Sequence, residues 1–398
     1  MGNRISKKSL EDEVKEALGK NKEALAAAKI QEYLDKEKNI PLNIAITGES
    51  GSGKSSFVNA IRGVDDDDEE EAARTGVVET TEVSRAYPHP CFSNVTLWDL
   101  PGVGTMKFPA AKYLKLVGFE RFDFFIIISA DRFRENDVKL GKEIQRMGKN
   151  FYFVRSKTDQ DIRNEKSRMK KSIRYFSEEK ILEQIRENCT QGLQKQGFQC
   201  PQVFLVSSHK PHLYDFPDLL RTLERELPEH KKNAFLLAMP NTSLEMIDRK
   251  KKAFKSQIKY VATLSAAVAA VPVPGLSAVV DVGLLVTVVT QYVSGLGLSI
   301  SSLKRLSNYS GVYIEDLKEV IVSPLAATKI TPELVLKTMS QTAILPALLI
   351  AEEGSKFMLI IGIPLSMALS FTFTYKALNL FLNDLSEDAK RVLQKVLV

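Results

Sequence analysis

Gly48-Glu-Ser-Gly51-Ser-Gly53-Lys54-Ser55 sets three glycines, a lysine and a hydroxyl where an anion could be held. Glycine lets backbone N–H groups turn inward, a following helix points its positive end at the same spot, and the lysine adds a full charge. The spacing suits the triphosphate of a nucleotide: Lys54 reaches the β and γ phosphates, and the Ser55 hydroxyl can ligate Mg²⁺. Gly48, Gly51, Ser52, Gly53, Lys54, Ser55 and Ser56 are thus the expected phosphate-binding set. An apolar run at 42–47 reads as a buried strand and 56–62 as a helix, the context such a loop needs.

Two later segments refine the chemistry. Val95-Thr-Leu-Trp98 runs into Asp99-Leu-Pro101-Gly102, so a carboxylate at a strand end can hold Mg²⁺ through water while the Gly102 N–H meets a γ-phosphate. The run 151–155 leads into Ser156-Lys157-Thr158-Asp159. A carboxylate there accepts two hydrogen bonds from the N1–H and 2-amino groups of guanine. Adenine lacks that donor pair and would leave a charged acceptor unpaired, at a cost of about 1–3 kcal/mol. Lys157 would lie along the base and ribose, and Ser207-Ser208, after the apolar run 203–206, would offer backbone N–H groups to the guanine carbonyl. Together these predict GTP and GDP as ligands, Mg²⁺ as cofactor, and Lys54, Ser55, Asp99 and Gly102 as residues acting on the reacting phosphate.

Loops that converge in this way sit at the ends of parallel strands. From residue 39 to about 227, short apolar runs alternate with charged, helix-compatible stretches, the pattern of a mostly parallel sheet covered on both faces. The expected fold class is α/β: a Ras-like P-loop G-domain over 39–228, with an all-α helical domain formed by N-terminal helices (1–38) and the C-terminal third (229–398). Seven consecutive acids at 65–71 read as a solvated, mobile loop that moves with nucleotide state. Thr75, Thr80 and Thr81 could each supply the Mg²⁺ or γ-phosphate contact, and spacing does not choose among them.

In this order the segments resemble the immunity-related GTPases, an interferon-inducible, dynamin-like family. The resemblance runs from Gly48 to about Asp218. It is carried by Arg74-Thr75-Gly76-Val-Val-Glu79, by Trp98-Asp-Leu-Pro-Gly-Val-Gly104, by 124–130 with Arg132-Phe133, by 151–155 and by Tyr214-Asp-Phe-Pro217. Looser matches lie at 301–322 and 385–390. The resemblance implies that Thr75 is the switch threonine and metal ligand, with Gly76 beside it in the nucleotide set, and that Glu79 takes part in hydrolysis through dimerisation across the nucleotide. Lys54 is similar to the lysine-bearing subgroup, treated as effectors. A role in interferon-linked cell-autonomous immunity is implied by the same resemblance.

Val103 stands where small regulatory GTPases carry the glutamine that orients the attacking water, so intrinsic hydrolysis is expected to be slow. A second copy of the chain is the economical supplier of the missing help. The net charge is +6, with no basic stripe interleaved with aromatics, so nucleic acid is not an expected partner. Cys91, Cys189 and Cys200 lack metal-ligand spacing and read as reduced thiols. Gly2 with Ser6 fits an N-myristoylation acceptor, and Arg4, Lys7 and Lys8 add basic charge; an acyl chain plus basic residues approaches the two signals that membrane attachment needs. No secretory signal is expected, and the expected location is the cytoplasm, peripherally on intracellular membranes.

Asp281 is the sole charge in 260–303, a run broken by Val271-Pro-Val-Pro-Gly275, and 357–375 has none. Both are long enough to span a membrane, and both are expected to be buried helices of the helical domain. The function these observations point to is GTP hydrolysis coupled to oligomerisation on membranes. The alternatives are a GTP-locked scaffold and an integral membrane GTPase.

Overall fold

The computed structural model describes residues 9–20, 22–68, 70–74, 84–101, 110–168, 177–199, 201–270, 276–341 and 367–397. The chain divides into two compact units: the described parts of 40–243 with 305–311, and those of 1–39, 244–304 and 312–398. It opens with α1 (Leu10–Gly19) and α2 (Glu23–Lys38), which belong to the second unit.

The first unit is organised by a sheet of six described strands: β1 (Leu42–Gly48), β2 (Arg85–Pro88), β3 (Val95–Asp99), β4 (Phe124–Ser129), β5 (Asn150–Arg155) and β6 (Val203–Leu205). Their order is β2-β3-β1-β4-β5-β6, with β2 antiparallel and the rest parallel. Phe-Phe-Ile-Ile-Ile-Ser in β4 is buried throughout, as a parallel strand covered on both faces requires. Helices α3 (Lys54–Arg62), α4 (Ala110–Val117), α5 (Glu135–Arg146), α6 (Thr158–Arg168), α7 (Glu178–Lys195), α8 (Phe216–Glu226) and α9 (Glu229–Ala238) complete it. The outer edge of β6 is closed by side chains. Arg186 Nη1 donates to the Val203 carbonyl, the Leu205 N–H donates to Asp215, and Arg186 and Asp215 pair at 2.8 Å.

Two features depart from the reading above. The unit runs past Pro228 to Ser243 because α9 buries Phe235, Leu236 and Leu237, with the Phe235 ring 6.3 Å from Phe124 of β4. The acidic stretch after α3 is anchored at its described residues. Asn59 receives the Ala73 N–H at 2.7 Å and donates to the Ala73 carbonyl at 3.0 Å and to Asp66 at 2.8 Å. Arg62 donates to the carbonyls of Glu71 and Pro88. Asn308 donates to Asp65, and Arg305 caps α3 by donating to the Ala60 carbonyl at 2.7 Å. Asp67 and Asp68 stay exposed, while the carboxylates of Asp65 and Asp66 and the backbone of Glu71 and Ala73 are held by polar side chains.

The second unit is helical among its described residues: α1, α2, α10 (Leu244–Ala269), α11 (Leu276–Gly295), the start of α12 (Ile300–Ser310), α13 (Ile314–Glu319), α14 (Pro332–Gln341) and α15 (Ala368–Leu397). Val14, Leu18, Ala26 and Ile30 pack with Ala262, Ala266 and Phe371 in one cluster. Buried Asp388 accepts the N–H groups of Val322 and Ser323, which fixes the segment after α13.

The first apolar run supplies α10 and α11. In α11, Leu285, Val288, Val289, Tyr292 and Val293 are buried at helical spacing, whereas Gly283, Thr287 and Thr290 are exposed. By length and composition alone, residues 282–310 are apolar enough to cross a membrane, with mean hydropathy 1.5 and 44% of the window buried. The breaker 271–275 and most of the run 357–375 lie outside the described residues, and the described end of that run, from Met367, joins the core through Met367 and Phe371.

Candidate nucleotide site

Strand register builds the site. β1 pairs β3 so that Ile46 faces Asp99 and pairs β4 so that Gly48 faces Ile128, which brings the loop after β1 beside the ends of both neighbours. Gly48 has φ 146° and a Cβ there would meet the Ile128 carbonyl oxygen at 2.0 Å, so only glycine fits. Gly53, at φ 87°, caps the start of α3. Ser52 is buried, and its hydroxyl has no hydrogen-bond partner among the described residues. Lys54 Nζ turns back onto the loop, donating to the Gly48 carbonyl at 3.1 Å and the Glu49 carbonyl at 2.8 Å. The loop is thus a cradle with its cation already aimed into it.

Ser55, in the first turn of α3, donates to Asp99 Oδ2 at 3.1 Å. A hydroxyl and a carboxylate at that distance are two hard oxygen donors. No cluster of three or more His, Cys, Asp or Glu side chains that could hold a metal occurs among the described residues. That donor set fits Mg²⁺, which takes one or two protein oxygens and completes its shell with phosphate and water.

The base-reading segment is latched to the same loop. Ser156, the first residue of that segment, donates its hydroxyl to the Ser52 carbonyl at 2.6 Å, and its N–H to the Ser129 carbonyl at 2.9 Å. Lys157 adopts φ 58°, and its Cε lies 3.9 Å from where a Gly53 Cβ would be, so its stem runs over the phosphate loop. Asp159 is 7% exposed in the first turn of α6, and one of its oxygens is paired with Arg163 one turn on, at 2.9 Å. The Thr158 N–H donates to the Val206 carbonyl at 3.2 Å, which draws Ser207 and Ser208 alongside. Ser207 is fully buried and its hydroxyl has no partner among the described residues.

The structure therefore brings Gly48, Gly51, Ser52, Gly53, Lys54, Ser55, Ser56, Asp99, Lys157, Asp159, Ser207 and Ser208 to the strand ends of one sheet. Thr75, Gly76, Glu79 and Gly102 of the expected set, and Gly2, lie outside the described residues. Sequence reading did not find Arg163, Arg134 or Asp137. Arg134 pairs with Glu49 of the phosphate loop at 3.0 Å, and its N–H donates to Asp137 Oδ2 at the start of α5. Asp137 is 1% exposed, and burial first, then Glu49, pushes its carboxyl up to about 6. Spacing carried one clue to Arg163: it stands four residues past Asp159 on a helix.

A mostly parallel sheet of this order, with a glycine cradle, a lysine, a Ser–Asp pair and a buried base-reading carboxylate at its strand ends, defines a P-loop guanine-nucleotide-binding protein. A family model described as Interferon-inducible GTPase (IIGP) matches residues 7–396. The chain belongs to that family, and it is a GTP hydrolase.

The chain is 43% identical over 372 residues to interferon-inducible GTPase 5 of Bos taurus and 41% identical over 372 residues to that of Rattus norvegicus, in each case across 94% of this chain and 79% of the relative. It is 39% identical over 355 residues to interferon-gamma-inducible GTPase 10 of Mus musculus, across 89% of this chain and 81% of the relative. A solved structure described as an oligomerised bacterial dynamin pair, with a mechanism for the long range sensing and tethering of membranes, covers 97% of this chain and 76% of its own at 14% identity and a TM-score of 0.34.

Proposed function

We propose that this GTPase assembles with copies of itself when GTP is bound, on the cytoplasmic face of intracellular membranes, and that self-contact accelerates hydrolysis in cell-autonomous immunity. The observation that carries the reading is a complete cradle combined with a missing water-positioning group. Lys54, the Ser55–Asp99 pair and the Ser156 latch are all in place. Val103 stands where the glutamine would be.

Within one chain, the residues perform binding and orientation. Lys54 exchanges its two carbonyl partners for the β and γ phosphates, and Asp159 reads guanine with a carboxylate that Arg163 steadies from one side. Ser55 would hold Mg²⁺ directly and Asp99 through water; the ion would neutralise charge developing on the phosphate oxygens. Water positioning falls to a neighbouring copy, with Glu79 as the residue implicated by resemblance. Myristoylation at Gly2 together with Arg4, Lys7 and Lys8 supports peripheral attachment. The names of the relatives support an interferon-linked role.

The test is phosphate release per molecule of protein as protein concentration is raised, with light scattering on the same sample. Specific activity and scattering should rise together with GTP and stay flat with GDP, and Lys54→Ala should abolish both. Specific activity independent of concentration overturns self-activation. One observation favours a second reading, insertion of an apolar hairpin: the length and hydropathy of 282–310.

A further inference from the structure

Tyr113, in the middle of α4, belongs to none of the segments described above, and its side chain is 1% exposed. Its hydroxyl donates to the Pro101 carbonyl at 2.8 Å and lies 3.4 Å from the Thr47 hydroxyl. A phenol has one proton. Because that proton goes to Pro101, Thr47 is the donor to the phenol oxygen, and the three groups form a chain from Thr47 through Tyr113 to Pro101. Both ends adjoin the site: Thr47 immediately precedes Gly48 of the phosphate loop, and Pro101 lies two residues past Asp99. Burial pushes the titration of the Tyr113 hydroxyl up, so it remains a donor across the physiological range.

We propose that Tyr113 is a positioning residue for GTP hydrolysis, tying the Asp99–Pro101 segment to the end of β1 so that the strand end bearing Asp99 is fixed against the phosphate loop before the reaction begins. A buried tyrosine with a packing role needs only some partner for its hydroxyl. Here the partners are the backbone of the segment that follows Asp99 and the residue that enters the phosphate loop, which is the arrangement a positioning role requires.

The inference rests on hydrolysis at this site, and Tyr113→Phe tests it by keeping the ring and removing the hydroxyl. Single-turnover GTP hydrolysis should fall about five- to tenfold while GDP affinity stays within about twofold. Trp98, the one tryptophan in the chain and the neighbour of Asp99, gives a spectroscopic reading. The difference in its emission between GDP and a non-hydrolysable GTP analogue should shrink in the variant. Thr47→Val, which keeps the shape and removes the donor, should reproduce part of the loss and carries the same comparison if the phenylalanine variant does not fold. An unchanged single-turnover rate, or a fall matched by an equal loss of GDP affinity, overturns the proposal. Wild type that binds GTP without turning it over overturns both this inference and the hydrolysis on which it stands.

Discussion

Asp159, the proposed reader of guanine, has one carboxylate oxygen held in an ion pair. Arg163 does the holding at 2.9 Å, from a turn further along α6. Asp159→Asn replaces an acceptor with a donor facing the guanine amino group, so GTP affinity should drop by about 1.5–3 kcal/mol and the preference over ATP should largely vanish, as calorimetry would read directly. Asp137 illustrates a different residue-scale effect. Its carboxyl is raised from an ordinary 3.8 to about 6, so the folded protein holds a proton that the unfolded chain has released. The group's contribution is therefore full below pH 3.8 and is lost as pH climbs through 6. Asp137→Asn should raise the melting temperature by roughly 5 °C at pH 7.5 and leave it unchanged near pH 3.5, a difference that paired thermal melts would show.

At the scale of elements, α3 acts at both ends. Its first residue is Lys54 of the cradle, and its inward-facing Asn59 and Arg62 hold the backbone of the acidic stretch that leads toward Thr75. Seven acids in a row suggested a freely solvated loop because like charges repel. That argument weighs only repulsion among the acids, whereas Asn59, Arg62 and Asn308 hold both backbone groups and the carboxylates of Asp65 and Asp66, and a short helix gave no reason to single these residues out. Removing the amide in Asn59→Ala leaves the buried Ala73 N–H and carbonyl without partners. Stability should fall by about 2–4 kcal/mol, and limited proteolysis should cut within 65–74 before the rest of the unit opens.

At the scale of the whole molecule, the chain carries a catalytic unit and a helical unit whose apolar content is high enough to raise the question of lipid. α11 answers for its own described part, since its buried residues recur at helical spacing and its exposed face carries Gly283, Thr287 and Thr290. A chain attached through Gly2 and its basic neighbours should leave membranes on carbonate extraction, and Gly2→Ala should shift it to the soluble fraction altogether. Retention of the Gly2→Ala protein in the carbonate pellet would instead establish insertion of the apolar helices.

Much of the site is legible in the sequence because its parts are local. A phosphate cradle needs glycines, a lysine and a hydroxyl within eight residues, and guanine recognition needs one carboxylate at a strand end; such spacings survive without knowledge of the fold. The alternation of apolar runs and charged helices likewise announces a parallel sheet. What the tertiary structure decided is how distant parts meet. Ser55 reaches Asp99 across 44 positions and Ser156 reaches Ser52 across 104, through a strand order that no local pattern contains. It also decided that the described parts of the run from Tyr260 present helix faces packed against protein. Lipid and a protein core are both apolar, so composition cannot tell them apart, and only the neighbouring helices do.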